Sequence, residues 1–162
     1  MTSEAPIPPY LDRVRSEWIN YNGHMSEAYH VLVFGLASDA FYDEIGLDAI
    51  TRERSRSSVY TLEAHICYLN EAGEGAPLEV ATRVLDFDAK RAHIFHAMRH
   101  GEEGTLLATE ELMLLHVDKT GPGAAPFPPE VQELLRGLHE VQANLPRPEQ
   151  AGQVIGITRS SG

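Results

Sequence analysis

Residues 20 to 24 read Asn-Tyr-Asn-Gly-His, a set of side chains suited to proton transfer and to holding negative charge. A histidine such as His24 is a residue type suited to exchanging a proton near neutrality. Asn20 and Asn22 can donate hydrogen bonds or hold a water without ionising. The turn leads into Ser26 to Ile45, which reads as a helix, and a helix start offers unpaired main-chain N–H groups and the positive end of the dipole. A developing oxyanion suits such a place. A second polar set, Thr61, Glu63, His65 and Cys67, alternates along Val59 to Leu69 and supplies a carboxylate, Glu63, able to take a proton or hold a cation. The bland alternatives are a loop histidine bonded to backbone and a solvent-facing strand carboxylate. Two other patterns carry no chemistry. His93, His96 and His100 would suggest a metal on a helix, but Ala92 to His100 reads as a strand that points His93 away from the other two, so no metal site is expected. Ser57 and Ser58 lack the glycine-framed elbow of a serine hydrolase.

The elements that must position these groups are legible in the pattern. Thr2 to Pro9 is an extended lead-in, followed by a short strand near Leu11 to Arg15. The helix from Ser26 has a middle, Val31-Leu32-Val33-Phe34, that is apolar on every side, which predicts burial. Ser26 or Asn22 is the expected cap, and Gly46 the expected left-handed terminator. Beyond the charged segment Thr51 to Arg56, strands are predicted at Val59 to Leu69, with Tyr60, Leu62, Ala64, Ile66 and Tyr68 on one face, and at Leu78 to Leu85, Ala92 to His100 and Leu106 to Val117. A short amphipathic helix over Glu130 to Glu140 follows, then a tail, 146–162, that needs a surface to lie on. One buried helix and a run of antiparallel strands is an α+β layout, expected as a single domain over 1–162 with extended segments at 1–9 and 146–162.

Composition narrows the function. Thirteen Lys and Arg against twenty-four Asp and Glu give a net charge of -11, which argues against a nucleic-acid partner. No stretch approaches the roughly 20 apolar residues of a membrane span, and the N-terminus lacks a signal pattern. With Cys67 as the lone cysteine, a cytoplasmic address is expected.

The segment Glu17-Trp18-Ile19-Asn20-Tyr21-Asn22-Gly23-His24-Met25-Ser26 resembles the signature loop of 4-hydroxybenzoyl-CoA-thioesterase-like hotdog enzymes, and more narrowly the betainyl-CoA thioesterases of carnitine degradation. The likeness continues through Ala28 to Val31, Tyr60 to Ile66, Asp88 to His96 and Ala125 to Pro129. It implies a hotdog fold, an antiparallel sheet wrapped around a central helix, and hydrolysis of a short polar acyl-CoA. No cofactor is implied, since coenzyme A belongs to the substrate. A homodimer or dimer of dimers is implied, which also suits a sheet with a free edge. By the same resemblance the Glu27 N–H is the oxyanion donor, and Lys90 and Arg91 form the basic turn that binds coenzyme A. Trp18, Tyr21 and Tyr60 are candidates to face a trimethylammonium, with Tyr29 also available. The sequence departs from the family where Asn20 replaces the usual aspartate, so a base must come from His24 or Glu63, with Glu63 slightly preferred. The rival is a binding module that keeps the coenzyme A grip and has lost turnover.

Overall fold

The computed structural model describes residues 7–121 and 123–161. Within them the chain runs β1 (Tyr10–Arg13), a 3-10 turn (Ser16–Trp18), α1 (Glu27–Glu44), α2 (Ala49–Ser55), β2 (Ser57–Tyr68), β3 (Pro77–Phe87), β4 (Arg91–His100), β5 (Leu106–Asp118) and α3 (Pro129–Gln142). Of the expected lead-in, residues 1–6 lie outside the described residues, as does Gly162 of the tail.

The strands form one antiparallel sheet in the order β1-β3-β4-β5-β2. Its inner face packs on α1 and α3, giving the expected α+β hotdog layout. Toward the start of α1, Val33, Phe34 and Ala37 meet Leu78, Val80, Met98 and Ala108. Toward its end, Phe41 and Ile45 join Ile94, Leu112 and Leu114, and α3 closes this part with Val131, Leu135 and Leu138. Phe34 is fully buried, a contribution of roughly 2 to 3 kcal/mol, so truncation to alanine is a disruptive change. Beneath α1, the buried His96 spans Ser38 Oγ and Thr82 Oγ1, each at 2.9 Å. Burial lowers its pKa to about 3, so it is a neutral structural strut. His93 lies on the opposite face, as the strand period predicts, and bonds to Glu111.

Three local expectations are corrected, and one segment without an assigned element gains one. The helix is not buried all round: Val33 and Phe34 are sealed, but Val31 and Leu32 are 47% and 46% exposed. A helix laid on one sheet has only one covered face. On β2, the register shifts between Thr61 and Glu63, so the strict alternation breaks at Leu62. Val59 and Thr61 oppose the inward His116 and Leu114, whereas Tyr60 opposes Leu115 and shares the outer face with Glu63 and His65. The charged segment, for which no element was predicted, falls in α2, capped by the Asp48 side chain on the Thr51 N–H at 2.7 Å and stopped by Arg56 at φ 52°. At α1 the cap position is Ser26, yet neither its hydroxyl nor Asn22 makes a capping bond. Gly46, with φ 83°, ends α1 as predicted.

The tail finds its surface on the chain's own sheet. Arg83 Nη1 donates to the Pro146 carbonyl at 2.7 Å, and the Gly152 N–H donates to Glu111 Oε1 at 2.8 Å. Among the described residues no helix is long and apolar enough to cross a membrane.

Candidate active site

The turn at residues 20–24 is closed by its backbone and by one side chain. The Asn20 N–H donates to the His24 carbonyl at 2.8 Å, and the Gly23 N–H returns to the Asn20 carbonyl at 3.0 Å. Gly23 sits at φ 82°, where a side chain is strained. Asn20 Oδ1 accepts the N–H of Asn22 at 2.9 Å and of His24 at 3.3 Å. The oxygen is committed to the fold, and the side-chain NH2 is what Asn20 can offer a ligand. The turn is anchored where Ser26 N–H donates to the Trp18 carbonyl and Met25 N–H to the Ala72 carbonyl, at 2.9 and 2.8 Å.

This anchoring aims the start of α1 into a cleft of about 440 Å3 lined by Asn20, Asn22, His24, Glu27, His30 and Tyr68, with Asn70 and Glu71. As the first residue of α1, Glu27 has an N–H beyond the reach of the helix's own carbonyls, and it finds no acceptor among the described residues. It remains available to a ligand, with the helix dipole behind it. His24 Nε2 lies 3.2 Å from Glu71 Oε2. A carboxylate in that place receives the Nε2 proton and leaves Nδ1 as an acceptor. His30 donates from Nδ1 to the Ser26 carbonyl at 3.2 Å and meets Tyr68 edge-on at 5.2 Å. Burial lowers the His30 pKa, so its ring is neutral. Tyr68 in turn reaches the Glu27 carbonyl with its hydroxyl at 3.4 Å. Burial first, then the charges of Glu27 and Glu110, push the Tyr68 pKa up and keep that hydroxyl protonated.

Of the residues singled out from sequence, the structure therefore brings together Asn20, Asn22, His24 and Glu27. It does not bring Glu63 to them. Glu63 lies on the outer face, in a separate hollow with His65, His93 and Glu111. The bulge at Leu62 sends Tyr60 to that same face, 52% exposed. Trp18 is core, 3% exposed and stacked on Tyr29 at 5.5 Å between centroids. Tyr21, 97% exposed, projects from the turn. Lys90 and Arg91 sit in the β3–β4 turn, beside the start of β2, whereas the cleft lies past its end. A strand of that length separates the two by about 30 Å within one chain. Arg91 is paired with Asp88 through Nε and Nη2 at 2.8 and 2.6 Å, which holds the Asp88 pKa to about 2. Arg56 belongs to the same end, its carbonyl accepting the Lys119 N–H. The cleft residues to which sequence reasoning assigned no site role are His30, Tyr68 and Glu71. His30 had a signal, standing one helical turn beyond Ser26, but Glu71 reaches the cleft only because the chain doubles back after β2.

Comparison with known proteins adds a family to this geometry. Residues 14–135 match the thioesterase-like superfamily. The betainyl-CoA thioesterase of Pseudomonas aeruginosa is 45% identical over 156 residues, spanning 96% of this chain and 94% of that protein. An L-carnitine dehydrogenase/betainyl-CoA thioesterase of Agrobacterium fabrum is 40% identical over 157 residues, which is 97% of this chain but 32% of that protein. Among solved structures, a Staphylococcus aureus protein in complex with CoA superposes with a TM-score of 0.87 at 31% identity, covering 96% of this chain and 100% of that one. The 1,4-dihydroxy-2-naphthoyl-CoA thioesterase of Synechocystis shares the fold, with a TM-score of 0.72 at 17% identity over 81% of this chain and 96% of that one.

Proposed function

The chain belongs to the thioesterase-like superfamily, and from that membership we propose that it hydrolyses betainyl-CoA to betaine and free coenzyme A at the cleft beneath the Asn20 turn. One observation carries the reading: Glu27, whose N–H has no acceptor among the described residues, lines the same cleft as a histidine paired with a carboxylate. Those are the donor and the base that thioester hydrolysis needs.

In this mechanism the thioester carbonyl oxygen lies against the Glu27 N–H, with the Asn20 and Asn22 amides as further donors. His24 takes a proton from water at Nδ1 while Glu71 steadies the imidazolium through Nε2. The hydroxide adds to the carbonyl carbon, and the oxyanion is met by the waiting N–H. Its collapse breaks the carbon–sulfur bond, and His24 returns the proton to the departing thiolate. Asn20 cannot be the base, since an amide does not take a proton at neutral pH. Glu63, in its outer hollow, yields that role to His24.

Partner and location belong to the same proposal. β2 is a twelve-residue edge strand. It is flanked by exposed Leu62, Tyr68, Val31 and Leu32. Such an edge calls for pairing. Antiparallel pairing of two β2 edges about a two-fold axis would set the end of one sheet that bears Lys90, Arg91 and Arg56 beside the cleft of the other. The homodimer thus supplies the positive charge that coenzyme A phosphates require. A cytoplasmic address fits the single cysteine.

The test is release of free thiol from betainyl-CoA, from its neutral isostere tert-butylacetyl-CoA and from a long-chain acyl-CoA. Preferred release from betainyl-CoA is expected. Binding of coenzyme A without release from any of the three would overturn the assignment.

A further inference from the structure

Among the described residues, Glu110 is the one buried carboxylate, and the mechanism above leaves it unused. On β5 it faces inward, opposite Ile66 of β2 and His96 of β4. It is 5% exposed, and its carboxylate makes no hydrogen bond among the described residues. The groups around it offer no counter-charge. His96 is neutral and engaged on both ring nitrogens. Tyr68 and Tyr42 feel its charge, and both stay protonated. Arg52, which lies over the Tyr42 ring and donates to the Leu47 carbonyl, makes no ion pair with Glu110 among the described residues. Tyr68, paired with Ala108 two residues before Glu110, lies diagonally adjacent, a separation of about 7 to 8 Å on one face of a sheet. The Tyr68 hydroxyl also reaches the Glu27 carbonyl, at the start of α1. Glu110 thus lies one same-face residue pair along the inner surface from Tyr68, which lines the cleft.

We propose that the Glu110 carboxylate is the counter-ion for a quaternary ammonium on the acyl group, with the Tyr68 ring as its aromatic wall. This rests on the proposed betainyl-CoA reading and names the residue that selects a cation within it. An unpaired buried carboxylate is costly, and a ligand cation removes the cost. The ring face adds an attraction for trimethylammonium that a neutral tert-butyl group does not receive. The upward displacement of the Glu110 pKa to about 7, caused by burial, is what an unanswered carboxylate shows.

The experiment compares kcat/KM for betainyl-CoA and tert-butylacetyl-CoA, which differ in charge and hardly in shape. Glu110→Gln is expected to cut kcat/KM for betainyl-CoA roughly thirtyfold or more while leaving the neutral isostere within about threefold. Glu110→Asp should recover part of the preference. In the wild type the preference should shrink as pH falls below about 7, because Glu110 protonates. An equal loss on both substrates would place Glu110 in the chemistry or the fold and overturn the proposal, as would an unchanged ratio. If the wild type releases no thiol from betainyl-CoA, the functional reading itself fails. Release with an unaltered ratio in the Gln variant sinks only the Glu110 assignment.

Discussion

Glu110 and Glu111 are neighbours in sequence and opposites in circumstance. The strand period turns Glu110 to the inner face and Glu111 to the outer one. Glu111 is answered twice, by His93 Nε2 at 2.7 Å and by the Gly152 N–H at 2.8 Å. These bonds hold its pKa below the ordinary range despite partial burial. Glu110 has neither bond, and burial drives its pKa up. The same contrast separates the two histidine–carboxylate pairs. His93 and Glu111 are 21% and 14% exposed and are consumed in fastening the tail. His24 and Glu71 are 41% and 72% exposed and open into a cleft beside an unspent N–H. A polar cluster whose valences are filled is structure, and one that keeps a valence free beside a cavity is a candidate for chemistry.

That contrast can be broken by substitution. The largest effect is expected from His24→Ala, with kcat falling roughly 100- to 1000-fold in a thiol-release assay while His93→Gln stays within about twofold. Equal losses from the two would erase the distinction. Next comes the stability of Glu110→Gln. A folded-state pKa near 7 against 4.5 means that the folded protein holds this proton longer than the unfolded chain, so wild-type stability drains as pH rises through that window. Thermal unfolding at about pH 8 should find the Gln variant more stable by up to about 3 kcal/mol, and at about pH 4 no different. Asn20→Asp keeps an oxygen for the Asn22 and His24 N–H groups, so the turn should survive with its melting temperature unmoved. It replaces a donor by an anion near the Glu27 N–H, and kcat is expected to drop roughly tenfold. A rise would show that the amide is an impairment. Smallest is Glu111→Gln, expected to cost about 1 kcal/mol and to speed proteolysis within 146–161. Its pH signature has the opposite sense to that of Glu110. The depressed pKa gives stability above the ordinary carboxylate range, lost as pH falls through the lowered value.

Much of this arrangement was legible from the chain. The loop from Asn20 to His24, the helix beginning at Glu27 and the four long strands follow from polar turn residues and from apolar period. These are local causes, fixed within a few residues of one another. The candidate site was half legible for the same reason. Asn20, Asn22, His24 and Glu27 share one turn and travel together wherever the helix is laid. Tyr60 was misplaced because alternation was extended through Leu62, where the strand carries an extra residue. Glu63 keeps the polar face read for it, and that face lies away from the cleft within one chain. Nothing in the polar run 61–67 distinguishes a bulged strand from a regular one.

Two side chains, Glu71 and Tyr68, entered the site only through folding. Glu71 is far from His24 in sequence and comes 3.2 Å from it because β2 returns the chain past the start of α1. Tyr68 and His30 meet by the same crossing. Sequence by itself set the element types, the amide-rich turn and the acidic surplus, because side-chain period and charge are local quantities. Which of two adjacent glutamates is left without a partner was decided by tertiary structure alone, since burial and countercharge are supplied by residues brought from elsewhere along the chain.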